Sequence, residues 1–241
     1  MARVSNGAFS GTISNLVFYT VNGINYVRSR PSPRKKKRSQ PVNPLNKLFG
    51  TVSHYGSQMV TALGKELLYK LKRNDYPRLR GWMLKQYNQN NQAIDWPLTA
   101  YTNGICNVNH AVDIRDCLLV NIGLSSNTNG QLTVSIPALN PTKQIKAPAH
   151  THTVVIKAIA VSCPFNTKAA NTCTVAVAQH SMLYSNALLA PTELLLDMGI
   201  TQGEITVLAL AMEYITSTSN NAIPVMDEAW LPAAIVAMGR Y

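Results

Sequence analysis

The histidines are the first side chains that could do chemistry. His150 and His152 flank a single residue in "HTH", and on a strand both would point to one face, as chelation requires. His110 or His180 could complete such a site. However, no Asp, Glu or Cys stands beside the pair, and the segment follows Pro148, where loop histidines are ordinary. The expectation is no metal. The acids Asp113, Asp116, Asp197, Glu204, Glu213, Asp227 and Glu228 are scattered. Only Glu213 sits in a strongly apolar stretch, where burial would raise its pKa, and edge exposure or a local partner is expected for it. The chain has no G-x-S-x-G and no Cys–His spacing that implies a nucleophile. "NGAFSG" lacks both the P-loop lysine and the dinucleotide spacing. The reading is a protein that is not an enzyme and takes no cofactor. Cys106, Cys117, Cys163 and Cys173 form no C-x-x-C pair. All four are expected to be reduced packing residues, with a Cys163–Cys173 bridge across a hairpin as the alternative.

The remaining chemistry is charge. Residues 1–90 hold 16 Lys/Arg against Glu66 and Asp75, a net of +14; residues 91–241 hold 6 Lys/Arg against 9 acids, a net of −3. Such asymmetry points to a polyanion-facing module joined to a neutral one. The densest run is "RSRPSPRKKKRSQP", with Arg28, Arg30, Arg34, Lys35, Lys36, Lys37 and Arg38 and no acid. Lys47, Lys65, Lys70, Lys72, Arg73, Arg78, Arg80 and Lys85 extend it. The run itself contains no aromatic residue, so the expected contact is with phosphates rather than bases. Tyr19, Tyr26, Tyr76 and Trp82 are the rings nearby that could stack. A solvated linker or localisation-type run is the plain alternative.

Several elements must position these groups. "NLVFYTVNGINYVRS" reads as a β-hairpin around Asn22-Gly23. A two-residue loop sets Val21 opposite Ile24, Tyr19 opposite Tyr26 and Phe18 opposite Val27. Val17, Tyr19, Val21, Ile24 and Tyr26 then share one face, with Arg28 at its end; Leu16, Phe18 and Val27 share the other. With both faces apolar, a lone hairpin is marginal. It must dock on its own chain or on a neighbouring subunit, so Val17, Phe18, Tyr19, Tyr26 and Val27 are the assembly candidates. Pro31, Pro33, Pro41 and Pro44 keep the basic run extended, with a reach of roughly 50 Å. An amphipathic helix is expected from Asn43 or Pro44, with Leu45, Leu48, Phe49, Val52, Met59, Val60, Leu63, Leu67 and Leu71 on its apolar face and a weak middle at Gly56 and Gly64. A second helix carries Leu79, Trp82, Met83 and Tyr87. Beyond the polar "YNQNNQ", the alternating stretches "QLTVSI", "TVVIKAIAV", "TCTVAVAQ", "EITVLALAMEY" and "AAIVAMGRY" read as strands of a sandwich. The 205–214 strand is apolar on both faces and is expected to be central and covered on both sides, whereas 172–178 suits a half-exposed place. "DIRDCLLVNIGL" is open between strand and short helix.

The N-terminal third resembles an uncharacterised domain-of-unknown-function family of Bacteroidota. The matching residues are Asn6-Gly7, Phe9-Ser10-Gly11, Gly23, Tyr26, Val27, Arg28-Ser29 and Pro31, then Leu45 and Phe49. The match covers residues 3–50, with agreement of layout beyond. The chain departs from the pattern by inserting "PRKKKR" and by lacking the Thr-x-x-Gln and Arg that introduce the family's helix. The resemblance implies a hairpin, a polar segment, a helix and a β-sandwich. It implies no activity, since that family has none established.

The expected fold is mainly β, an immunoglobulin- or jelly-roll-like sandwich with an N-terminal hairpin, an extended basic arm and one or two helices. The expected division is a hairpin over 1–30, an arm over 31–44, a basic helical module over 45–92 and a sandwich over 93–241. The expected function is a non-enzymatic, self-associating structural protein. Its basic arm and helix would contact nucleic acid, DNA or RNA without sequence preference, in a virion-like or filament-like particle. The alternatives are a nucleic-acid-binding protein that does not assemble and a surface or extracellular adhesin or filament subunit. No apolar run reaches the ~18–20 residues of a membrane span. "MARVSNGAFSGTISNLVFY" is not patterned as a signal peptide, so a cytoplasmic location in the producing cell, or inside an assembled particle, is expected.

Overall fold

The computed structural model describes residues 3–5, 8–21, 23–30, 44–89, 104–127, 130–164, 173–199, 204–218 and 221–240. The chain divides into two compact units, Met1–Pro44 and Leu45–Tyr241. The fold is mainly β and sandwich-like.

The first unit is an antiparallel sheet of four strands in chain order: β1 (Arg3–Ser5), β2 (Ala8–Ile13), β3 (Leu16–Val21) and β4 (Ile24–Ser29). The β3–β4 register is the one the Asn-Gly turn dictates, with Val21 opposite Ile24, Tyr19 opposite Tyr26 and Phe18 opposite Val27. Gly23 takes φ +79° there, a conformation that suits glycine in a two-residue hairpin turn. The sequence reading reached two of the four strands. β1 and β2 fall in "RVSNGAFSGTI", where glycines interrupt any alternation.

The second unit begins with two helices. α1 (Pro44–Glu66) is one continuous helix, without the break that Gly56 and Gly64 suggested. Gly56 lies where α2 (Asp75–Gln89) crosses: a Cβ there would sit 3.3 Å from Met83 Sδ and 3.4 Å from Arg80 Cγ. Leu67 and Leu71, expected on the helical face, lie beyond the end of α1. The chain turns back after Glu66, and a Cβ on Gly64 would come within 2.5 Å of Leu71 Cδ1. Glycine therefore admits the returning loop.

The strands follow. They are β5 (Cys106–Asn107), β6 (Gly123–Ser126), β7 (Gln131–Ile136), β8 (Thr151–Pro164), β9 (Thr174–Leu183), β10 (Thr192–Asp197), β11 (Glu204–Thr218), β12 (Asn221–Pro224) and β13 (Ala233–Arg240). Short helices α3 (Ile114–Cys117) and α4 (Pro141–Gln144) lie between them. The main sheet runs β5-β13-β11-β8-β9, with β12 paired to β11; the smaller sheet runs β10-β7-β6. The undecided "DIRDCLLVNIGL" is α3 followed by an isolated bridge from Leu118 to Ile145.

Strand periodicity sorts the core into two layers. On β11, Leu208, Leu210, Met212 and Tyr214 meet the smaller sheet through Leu132, Val134, Ile136, Leu194 and Leu196. The alternate residues Ile205, Val207, Ala209 and Ala211 meet Met59, Val60, Leu63, Leu79 and Met83 of the helices. β8 alternates in the same way, with Ile156, Ala158 and Ala160 against the sheet and Ile159, Val161 and Cys163 against the helices. The central place expected for 205–214 is thus observed, with helices as one cover and a sheet as the other. The helices belong to the same compact unit as the sandwich, so the boundary expected near residue 92 does not separate two units.

The cysteine expectation needs correcting. Cys163 and Cys173 are disulfide-bonded, with Cα atoms 4.7 Å apart. The bond follows from register: Ser162 pairs with Thr174, so the next step outward on the β8–β9 hairpin brings the two cysteines together. Cys106 and Cys117 are free and buried. Burial raises the pKa of both thiols, which suits packing residues.

Leu210 is fully buried on the sheet-facing side of β11. Leu210→Ala is expected to cost about 2–5 kcal/mol in denaturant unfolding. Leu195→Ala, at a position 55% exposed, is expected to stay within about 0.5 kcal/mol.

Candidate functional site

The candidate groups fall into three places. The first is the N-terminal sheet. Alternation puts Val17, Tyr19, Val21, Ile24, Tyr26 and Arg28 on one face and Ile13, Leu16, Phe18 and Val27 on the other. Tyr19 and Tyr26 stack with ring centroids 5.6 Å apart, and the Arg28 guanidinium lies 5.6 Å from the Tyr19 centroid. This cross-strand pair and its cation leave both rings partly open, an exposed surface able to take a planar or anionic group. Tyr19, Tyr26 and Val27 are exposed, as are Ile13, Leu16, Val21 and Ile24. Val17 and Phe18 are half-buried. Ile13 was not singled out from sequence because β2 was not recognised as a strand.

The second place is the basic series. Arg28 and Arg30 are exposed. Arg34, Lys35, Lys36, Lys37 and Arg38 lie outside the described residues, and so does the side chain of Lys47. Lys65, Lys70, Lys72, Arg73 and Lys85 are exposed, and Lys72 pairs with Glu228 at 2.5 Å. Arg78 and Arg80 point elsewhere. Arg80 donates to Tyr76 O and Ser53 Oγ, joining α2 to α1. Arg78 donates to Asn107 O and, at 2.6 Å, to Val108 O, and it holds Asp75 at 3.1 Å. Both guanidiniums are committed inside the unit.

The third place, which the sequence did not indicate, is the cluster around Asp75. This carboxylate is 1% exposed. One oxygen accepts from the Tyr69 hydroxyl at 3.0 Å and the Lys72 amide at 2.8 Å; the other faces Arg78, with His110 Nδ1 3.9 Å away. Burial pushes the carboxyl up, but the Lys72 amide, Arg78 and Tyr69 together hold it below its ordinary value. Burial and the carboxylate push Tyr69 up to about 12. Next to it, Asn109 donates to Glu228 O and Leu231 O and accepts from the Ala111 amide. Asp75 closes the α1–α2 turn on itself and holds Arg78, which fastens α2 to Asn107 and Val108, and Asn109 ties the segment after β5 to residues 228–231. The cluster's only sequence trace is an acid in a basic stretch.

The other candidates have local roles. Glu213 lies 3.9 Å from Lys157; its burial raises its pKa and the lysine opposes the shift. Lys157 also donates to Glu66 O at 2.5 Å, placing a cation at the C-terminal end of α1. Arg115 clamps Asp113, holding that carboxyl well below its usual range. His152 bonds Thr153 Oγ1 at 2.9 Å, and His150 sits in a turn at φ +64° rather than on the strand. The shared face imagined for that pair is not formed. Among the described residues, no group of three or more His, Cys, Asp or Glu could hold a metal, and no helix is long and apolar enough to cross a membrane.

Comparison with known proteins finds no family model, no curated protein and no solved structure that matches the chain.

Asp75→Asn keeps the shape but removes the charge that Arg78 faces, and is expected to cost about 3 kcal/mol in urea unfolding at neutral pH. Because the folded carboxyl titrates below its unfolded value, its contribution is full above the ordinary carboxylate pKa of about 4 and is lost as pH falls through the folded value. The wild-type advantage over the variant should therefore shrink in acid.

Proposed function

We propose that the protein is a structural, self-associating subunit whose N-terminal sheet is an assembly surface and whose basic segment contacts a polyanion, most simply nucleic acid. One observation carries this reading: a four-stranded sheet that is its own compact unit leaves large apolar side chains exposed on both faces. Among the described side chains of this sheet none is buried, and a two-sided apolar ribbon is stable only when something covers it. The basic segment follows β4 directly in sequence, and Arg28 and Arg30 stand exposed at that end of the sheet. The +14 charge of residues 1–90 supports a polyanion there. With Arg78 and Arg80 engaged inside the unit, the contact falls to the arm and to the exposed Lys70, Arg73 and Lys85.

Light scattering on the full chain at 0.15 M salt tests the assembly. Tyr26→Glu, at a position 42% exposed, should leave the fold intact by circular dichroism and lower the assembled mass; an unchanged mass would refute the assembly role. For the polyanion, log Kd for a 20-nucleotide single strand should change linearly with log salt, with a slope of ~0.7 per phosphate contact. Replacing Arg34, Lys35, Lys36, Lys37 and Arg38 by Ala should remove about five contacts' worth of that slope. A salt-independent affinity would refute it.

A further inference from the structure

The main sheet protects its edges unequally. β5 closes one side with two residues, and Arg78 takes up Asn107 O there. β12 is short and ends at Pro224. Both are recognised ways of blunting an edge. β9, at the opposite end, has neither. It is ten residues long, and among the described residues its ladder partner is β8 alone. Its sequence, "TVAVAQHSML", contains no Lys, Arg, Asp, Glu or Pro. The helices cover β8, β11 and β13 but stop short of β9, where Val175 and Val177 stand 37% and 40% exposed on the helix-facing side. Between β9 and α1 runs a groove of about 400 Å³, lined by Ser57, Gln58, Thr61 and Lys65 of α1 and by Cys173 and Val175. The Gln58 Oε1 is buried without a hydrogen-bond partner.

We infer that β9 pairs with β9 of a second copy across a two-fold axis, joining two main sheets edge to edge beside their α1 helices. This rests on the self-associating reading above and adds a second contact to it. The occupant is argued from self-complementarity. In an antiparallel self-pairing centred on Ala176, Val175 faces the partner's Val177 and Thr174 faces the partner's Ala178. No charge then meets a like charge, which is what usually forbids an isologous strand contact. Small residues at 176 and 178 let the two sandwich faces approach. The same register brings the partner's Gln179 opposite Cys173, on the rim of the groove. The Cys163–Cys173 bond ties the start of β9 to β8, so the pairing edge is presented as a fixed strand.

The test uses full-length protein in sedimentation equilibrium, as wild type, Val177→Lys, Tyr26→Glu and the double variant. Tyr26→Glu should leave a dimer, and adding Val177→Lys should weaken that dimer at least tenfold. If Tyr26→Glu alone yields monomers, the β9 contact is overturned and the sheet-mediated assembly stands. If instead Val177→Lys alone abolishes association and Tyr26→Glu changes nothing, the β9 contact stands and the N-terminal assembly surface fails. Hydrogen exchange on the Tyr26→Glu protein, which needs no β9 substitution, is a second reading. Every second amide of residues 174–178 should gain at least tenfold protection as concentration rises through the dimer Kd, and unchanged protection would overturn the pairing.

Discussion

The two-sided apolar character of β11 governs the second unit. A strand whose odd and even residues are both buried cannot stand at a surface. From Ile205 to Tyr214 it needs a cover on each side. One cover is the small sheet of β6, β7 and β10; the other is the pair of helices. β8 lies beside it along nearly its whole length and inherits the same demand. The conspicuous polar contacts then have a common purpose. Lys157 at the end of α1 and Arg78 of α2, bonded to Asn107 O and Val108 O, hold the helical cover in register with the strands beneath.

The basic stretch of the sequence serves two purposes that composition cannot separate. Arg78 and Arg80 stand two residues apart on α2, about half a helical turn, yet both are drawn inward by carbonyls, a hydroxyl and a carboxylate. A guanidinium with five donors suits such tasks better than an ammonium. The lysines of the same region stay in solvent. Net charge thus overstates the cationic surface: part of it is structural.

The parts of the fold that were legible were those fixed by local rules. The Asn-Gly turn set every pair of the β3–β4 hairpin, and continuous apolarity on β11 identified a strand covered on both sides. The half-exposed place expected for 172–178 is where β9 sits. Features set by distant partners were not legible. The end of α1 depends on Leu71 returning over Gly64, and the role of Asp75 depends on Tyr69, Arg78 and the segment after β5 meeting around it. The disulfide is not legible either, because spacing alone does not show that residues 163 and 173 are opposite across a ladder. Of the candidate site, the apolar hairpin faces were readable, but their exposure was not, since burial is a property of the whole chain.

The two sheets also differ in how far apart in sequence their pairing partners lie. In the first unit each strand pairs with the one just before it, through turns of a few residues. In the main sheet β11 pairs with β8 across forty residues or more, and β13 with β5 across more than a hundred. Hairpins close in microseconds, while sheets built from distant segments form orders of magnitude later. The N-terminal sheet also leaves the ribosome before the second unit. It should therefore be formed, with both apolar faces open, while the rest of its own chain is still being made. The surface proposed for assembly would then be complete before the sandwich of its own chain exists.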